Sequence, residues 1–181
     1  MSIFIVCTSV LIVACTIMIW VATTYNKFQL LIIRINEAET NIDAVLRKRF
    51  DLINKSIDVI KSNTKTKDEV MPMIVKLRSR KLTNFDLDRK LYDGLKEFNK
   101  YKEMYPDLKN NDSFMKIDIS LSESESEIVA FRKYYNDIIT DYNKLVKSFP
   151  SNLIAMIFKF KYKLYFDGKD MSDDITDDFK L

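Results

Sequence analysis

The chain is 181 residues long, with 29 Lys+Arg against 26 Asp+Glu, a formal charge of +3, 30 % charged and 47 % hydrophobic residues. That length fits one domain, and the near balance of charge suits neither a polybasic nucleic-acid binder nor an acidic disordered chain. His is absent and Gly occurs only at Gly94 and Gly168, which excludes His-based triads, HExxH zinc sites, Glu-x-x-His di-iron motifs, phosphate-cradling loops and the dinucleotide fingerprint.

From Ile3 to Ala22 the chain reads IFIVCTSVLIVACTIMIWVA, without a charge, Gly or Pro. About 20 such residues cross the roughly 30 Å of a bilayer's hydrocarbon, so residues 1–24 are read as a transmembrane anchor, with Trp20 and Tyr25 at headgroup level. A cleavable signal peptide fits poorly, because no Lys or Arg precedes the run and no A-x-A-like site closes it. Cys7 and Cys15 both lie inside the run, so no disulfide framework exists for the rest. Ile12-Val13-Ala14-Cys15 is similar to a bacterial lipobox, but the missing basic start and the apolar residues beyond Cys15 argue against lipidation. Lys27 and Arg34 follow the run and no basic residue precedes it. By the positive-inside rule the protein is single-pass, with its body in the cytoplasm.

Residues 25–149 are expected to form a helical bundle. No Gly or Pro occurs before Pro72, so the membrane helix can continue unbroken to about Ser62. Phe28, Leu31, Ile35, Ala38, Ile42 and Val45 alternate by three and four, the spacing of a helix-packing seam. The row fails at Arg49, and Leu46, Phe50, Ile53, Ile57 and Ile60 take over on a neighbouring line. Asp43, Arg47 and Asp51 form a surface ion-pair line. Residues 62–69 read as a loop, and Val70, Met73, Ile74 and Leu77 as the apolar face of a short second helix with Pro72 in its first turn. Thr83 and Asp86 look like a capping box for a third helix with the stripe Leu91, Leu95, Phe98 and Tyr105, closed by Pro106. Chain length also permits the second and third helices to join through Lys81 and Leu82.

The next helix has the clearest pattern. Phe114, Leu121, Ile128, Tyr135, Tyr142 and Phe149 recur every seven residues, with Ile117, Ser124, Phe131, Ile138 and Leu145 between them, and Ser124 is the one polar member. Such a seam means helix packed on helix, in an intramolecular bundle or in an oligomeric coiled coil. A homo-oligomer is therefore compatible with it. The alternating run Ser122 to Glu127 spreads its charges around the helix and reads as a solvated face.

Pro150 ends this helix, and Ser151 and Asn152 can cap another. Residues 150–166 then mix apolar side chains with lysines, and no acid occurs from Lys144 until Asp167. This segment is expected to lie on the membrane surface, with contacts from Ile154, Ile157, Phe158, Lys159, Phe160, Lys161 and Lys163. Ordinary packing of a capping segment on the bundle end is the competing reading. Asp167 to Leu181 has six Asp and two Lys and is expected to be an acidic disordered tail.

Several short motifs in order resemble the LemA family of small membrane-anchored helical proteins. Tyr25-Asn26, Arg34, Glu37-Ala38 and Ile42-Asp43 lead into Leu46-Arg47-Lys48-Arg49-Phe50-Asp51-Leu52-Ile53, similar to the family's ID-x-x-L-x-R-R-x-D-L-I block. Tyr105-Pro106-Asp107-Leu108-Lys109 resembles its YPDLK. Tyr135-Asn136, Tyr142-Asn143, Phe149-Pro150-Ser151-Asn152-Leu153-Ile154-Ala155 and Tyr165-Phe166 resemble its most specific signature. Asn54 replaces the family's Pro after the Leu-Ile step, and Lys61-Ser62-Asn63-Thr64 its K-G-Y-A loop. The resemblance implies an all-α fold, an N-terminal transmembrane helix continuing into an up-and-down antiparallel four-helix bundle, with no enzymatic activity established for the family. Some relatives occur in magnetosome membranes and others are associated with membrane metalloproteases, roles that these motifs do not transfer.

In an up-down bundle the first and last long helices both have a membrane-proximal end. Tyr25 and Asn26 should then lie near Tyr142 and Asn143, and with Tyr135 and Asn136 form a polar network that fixes helix register. The alternative is exposed asparagines beside core tyrosines. Glu37, Glu39, Asp43, Glu123, Glu125, Glu127, Asp137 and Asp141 supply carboxylates, but the His partners of a bundle metal pair are missing. The expected function is a non-catalytic membrane-anchored scaffold or interaction protein, with no catalytic residue, cofactor, metal or nucleic acid, and with the lipid membrane and a protein as partners. The alternative is a ligand- or metal-binding module, including an unrecognised hydrolase.

Overall fold

The computed structural model describes residues 1–63 and 84–166. The predicted second helix, its flanking loop, Thr83, the Lys81-Leu82 joint and the tail 167–181 lie outside these residues. Among the described residues the chain is all-α, with α1 (Ser2–Asn63), α2 (Asn84–Met104), a 3-10 turn (Pro106–Asn110), α3 (Asp112–Lys147) and a short α4 (Ser151–Ile157), and no strand.

α1 runs unbroken for 62 residues, as the lack of Gly and Pro permits. Its apolar start has no buried residue and is long and apolar enough to cross a membrane. Hydroxyl groups in that run are satisfied within the helix. Thr8, Ser9, Thr16 and Thr23 each donate to a carbonyl one turn back, at 2.8 to 3.1 Å, so no side-chain polar group of these four needs water.

The described residues divide into two compact units. One comprises Ala38–Tyr135 with Phe166. Its core takes Ile42, Val45, Leu46, Ile53, Ile57 and Ile60 from α1, Leu91 and Phe98 from α2, Leu108 from the 3-10 turn, and Phe114, Ile117, Leu121 and Ile128 from α3. Each such side chain contributes about 1.5 to 3 kcal/mol when fully buried. The rings of Phe98 and Phe114 stack at 5.0 Å. Pairs at Glu39 with Tyr135, Lys48 with Glu127 and Arg49 with Glu125 make α1 and α3 antiparallel within this unit. Asn84 donates to the Glu39 carbonyl and Arg49 meets Asp88, so α2 runs parallel to α1. The end of α2 at Met104 follows from Pro106, and Asn111 caps α3 by accepting the Phe114 N–H at 3.0 Å.

The other unit comprises Met1–Glu37 with Asn136–Tyr165. Phe28, Leu31 and Ile35 of α1, Ile138, Ile139 and Tyr142 of α3, and Ile154 and Ala155 of α4 are buried in it. The predicted α3 seam stops short of its last member, since the helix ends at Lys147 and Phe149 is 81 % exposed. Pro150 drives the preceding residue out of helical geometry and its side chain off the seam.

Candidate functional site

Arg49 is fully buried, although its charge reads in the sequence as the end of an apolar row. It occupies the next position of the α1 seam. Its Nε donates to Ser124 Oγ at 3.3 Å, the polar member of the α3 seam, and its Nη2 donates to Glu125 Oε2 at 2.7 Å. Asp88 of α2, also buried, closes the group with Oδ1 3.5 Å from Arg49 Nη1 and Oδ2 paired to Arg132 Nη2. The Arg49 to Asp88 contact is an ion pair without hydrogen-bond geometry, because Nη1 and Oδ1 both lack a hydrogen-bond partner.

Two guanidinium groups and two carboxylates thus neutralise one another. Burial lowers the hold of Arg49 on its proton and Glu125 opposes that, while Arg132 is lowered by burial and by Arg49. Both stay charged, as arginine does in proteins. The Arg132 guanidinium also lies 5.4 Å from the centre of the Phe166 ring, which sits edge-on to Phe85 and Tyr135. Each guanidinium of the cluster faces a carboxylate. It ties three helices at one level and so fixes their register. Of the face read as solvated, Ser122, Glu123 and Ser126 are exposed, Ser124 is buried as a seam member, and the partly exposed Glu125 and Glu127 pair with Arg49 and Lys48.

Beside the cluster, Leu95, Asn99, Lys102, Asp118, Leu121, Ser122, Glu123 and Glu125 line an open cavity of about 520 Å³. Lys102 pairs with Asp118 in its wall. Among the described residues no three His, Cys, Asp or Glu side chains gather closely enough to hold a metal ion.

The Tyr and Asn residues of the predicted network have these partners. Tyr135 Oη donates to Glu39 Oε1 at 3.4 Å, in the unit of the charge cluster. In the other unit Tyr25 packs on Phe158 and Phe160 at 4.8 and 5.8 Å, Asn26 is exposed, and Asn136 accepts from Thr140 through its carbonyl. Tyr142 is buried, edge-on to Phe28 at 5.7 Å, and burial raises its phenol pKa. Asn143 is the polar anchor. Its Nδ2 donates to the Lys163 carbonyl at 2.8 Å and its Oδ1 accepts the Lys163 N–H at 3.0 Å, holding the chain after α4 as a backbone partner would. Thr140 and Tyr165 share a further bond at 3.2 Å, and Lys147 lies over the Tyr162 ring.

Burial, then the Glu39 carboxylate, push the Tyr135 phenol up to about 12. In the unfolded chain a tyrosine ionises near pH 10. The retained proton therefore contributes stability in full below about pH 10, and this is lost as pH rises through about 12. Denaturation midpoints should fall more steeply over that interval in the unmodified protein than in Tyr135→Phe. Equal slopes would contradict the placement.

Of the expected membrane contacts, Ile154 is buried inside the protein, a correction to an interior position, and Phe160 is half-buried with its ring stacked on Phe28 at 4.4 Å. The reason is a chain reversal after α4. Phe160 N–H bonds the Ala155 carbonyl at 2.9 Å and Lys159 N–H that of Met156 at 3.4 Å, a Schellman closure with Lys159 at φ 58°. Lys163 is half-buried, its backbone held by Asn143. Ile157, Phe158, Lys159 and Lys161 remain exposed, joined by Phe149, Leu153 and Met156. Ser151 does not cap α4 through its side chain; its hydroxyl donates to the Leu145 and Ser148 carbonyls and closes α3 instead. A side chain in the left-handed region costs about 1 to 2 kcal/mol. Lys159→Gly should therefore raise stability by up to about 1 kcal/mol, once glycine's added chain entropy is deducted. A lowered melting temperature would refute that turn.

The LemA family's sequence model matches residues 38–179. The protein called Protein LemA in Metamycoplasma hominis is 30 % identical over 129 residues, covering 67 % of this chain and 58 % of that protein. The chain thus spans less than two thirds of that relative's length.

Proposed function

The chain belongs to the LemA family, and from that premise we propose that it is a non-catalytic, membrane-anchored helical scaffold. Ile3–Ala22 crosses the bilayer once, and a four-helix bundle stands on the cytoplasmic side and presents its helix faces to a protein partner. One observation carries this reading: the exposed apolar run and the core of each unit lie on the same uninterrupted helix, α1. Within its own unit such a helix carries the apolar run directly into the packed residues Phe28, Leu31 and Ile35. Orientation follows from Lys27 and Arg34 after the run. The buried charges support a structural use, since they are spent on one another across three helices.

The test is alkaline extraction of membranes from cells making the full chain, with trypsin added to either side. The protein should stay with the membrane and be cut only when trypsin reaches the cytoplasmic face. Release by alkali, or digestion of intact spheroplast surfaces, would overturn the topology. The carboxylate-lined cavity beside Glu125 is the observation that favours a binding module. Elemental analysis of the purified chain separates the two, because a stoichiometric metal would replace the scaffold reading.

A further inference from the structure

We propose that α4 and the turn after it form a second membrane contact, in which exposed apolar side chains enter the bilayer interface and Lys159 and Lys161 meet anionic headgroups. This rests on the reading that Ile3–Ala22 spans the membrane.

The depth of α4 comes from Tyr25. That ring packs on Phe158 and Phe160, and Tyr25 follows Ala22 by three residues, about 4.5 Å along a helix. Within this unit the end of α4 therefore packs on the first turn of α1 beyond the apolar run. A short helix beside bulk water would turn a polar face outward. α4 does not: Ile154 and Ala155 face inward, while Leu153, Met156 and Ile157, at the i, i+3, i+4 positions of one stripe, are 45, 75 and 68 % exposed. Phe149 and Phe158 at its two ends are exposed as well.

Charge selects the occupant. Lys159 and Lys161 are exposed next to this surface, Lys27 is exposed on α1 two residues beyond Tyr25, and no acid occurs between Lys144 and Phe166. An apolar stripe followed in the chain by the exposed Lys159 and Lys161, at the height where a membrane helix ends, complements an anionic leaflet. A second copy of the chain would bring the same lysines against themselves.

Trp20 is the one tryptophan of the chain and reports the span. The experiment reconstitutes the full chain in phosphatidylcholine vesicles containing phosphatidylglycerol, with bromine on the acyl chains as a fluorescence quencher. Trp20 of the unmodified protein should be quenched. In a Trp20→Phe background, Met156→Trp should be quenched about twofold as well, as suits a side chain some 5 to 10 Å into the boundary. Adding Lys159→Glu and Lys161→Glu should remove most of that quenching while Trp20 in the otherwise unmodified chain carrying the same two changes stays quenched. Quenched Trp20 with unquenched Met156→Trp overturns the second contact alone. Unquenched Trp20 overturns the span, and the contact with it. Met156→Trp shielded from aqueous acrylamide yet untouched by bromolipid shows that protein covers the stripe, which also overturns the proposal.

Discussion

Asp88→Ala is expected to destabilise the protein by about 3 to 5 kcal/mol, the scale of removing one member of a buried ion pair. Asp88 faces two guanidinium groups, and its side chain is 4 % exposed. Arg132, a third exposed, can turn to water when the carboxylate goes. Arg49 cannot, because its side chain is 1 % exposed and enclosed by three helices. It would keep Glu125, but that carboxylate is 38 % exposed and water weakens its pull. Removing both buried charges together should therefore hurt less than removing one. Arg49→Met with Asp88→Leu should return to within about 1 to 2 kcal/mol of the unmodified protein, since apolar replacements of a buried pair are often close to neutral. Urea unfolding of the full chain in mild detergent, followed by near-ultraviolet circular dichroism, measures all three. An Asp88→Ala loss below about 1 kcal/mol would mean that Arg49 is solvated and the cluster open.

Most of the helical frame is legible in the sequence because its signals are local. The absence of breakers before Pro72 gives α1, Pro106 ends α2, and the buried members of the α1 rows are the residues that the three-and-four spacing selects. The charge cluster is not local. A charged residue on a seam looks the same whether the seam ends or a partner waits across the interface, and only the register of the second helix decides. A usable signal did exist: the α1 row breaks at Arg49, the α3 row breaks at Ser124, and the two breaks meet. The chain after α4 was misread for a related reason. Lys159, Phe160, Lys161 and Tyr162 alternate with period two, the mark of an extended segment with one side packed. Read as a helical surface, that pattern hides Phe160 inside a membrane face, whereas the structure sets it against Phe28 and lets Asn143 hold the backbone beyond it. Asn143 is expected from the sequence to join other Tyr and Asn side chains, but its partner is a main chain and leaves no trace in side-chain spacing.

Phe28→Ala is expected to cost about 4 kcal/mol, in the range for deleting a buried aromatic ring. The ring is fully buried and has two aromatic neighbours, Tyr142 of α3 edge-on and Phe160 stacked. Its loss therefore leaves a cavity and also frees the segment that Phe160 pins. Phe149→Ala removes the same chemistry from a site 81 % exposed, and should change stability by no more than about 0.5 kcal/mol. The distinguishing readout is local. With Phe160 unstacked from Phe28, residues 160 to 165 keep the Asn143 bonds to Lys163, the Thr140 contact with Tyr165 and Lys147 over the Tyr162 ring but lose their contact with a fully buried ring, so the backbone there should open more often. Trypsin should then cut after Lys161 and Lys163 faster in Phe28→Ala than in the unmodified chain, under conditions where both remain helical. Equal cleavage rates would mean that the stack does not hold this segment. Faster cleavage together with lost quenching at Met156→Trp would show that the same ring, a few residues beyond the apolar run, sets both the packing of α4 and its approach to the bilayer.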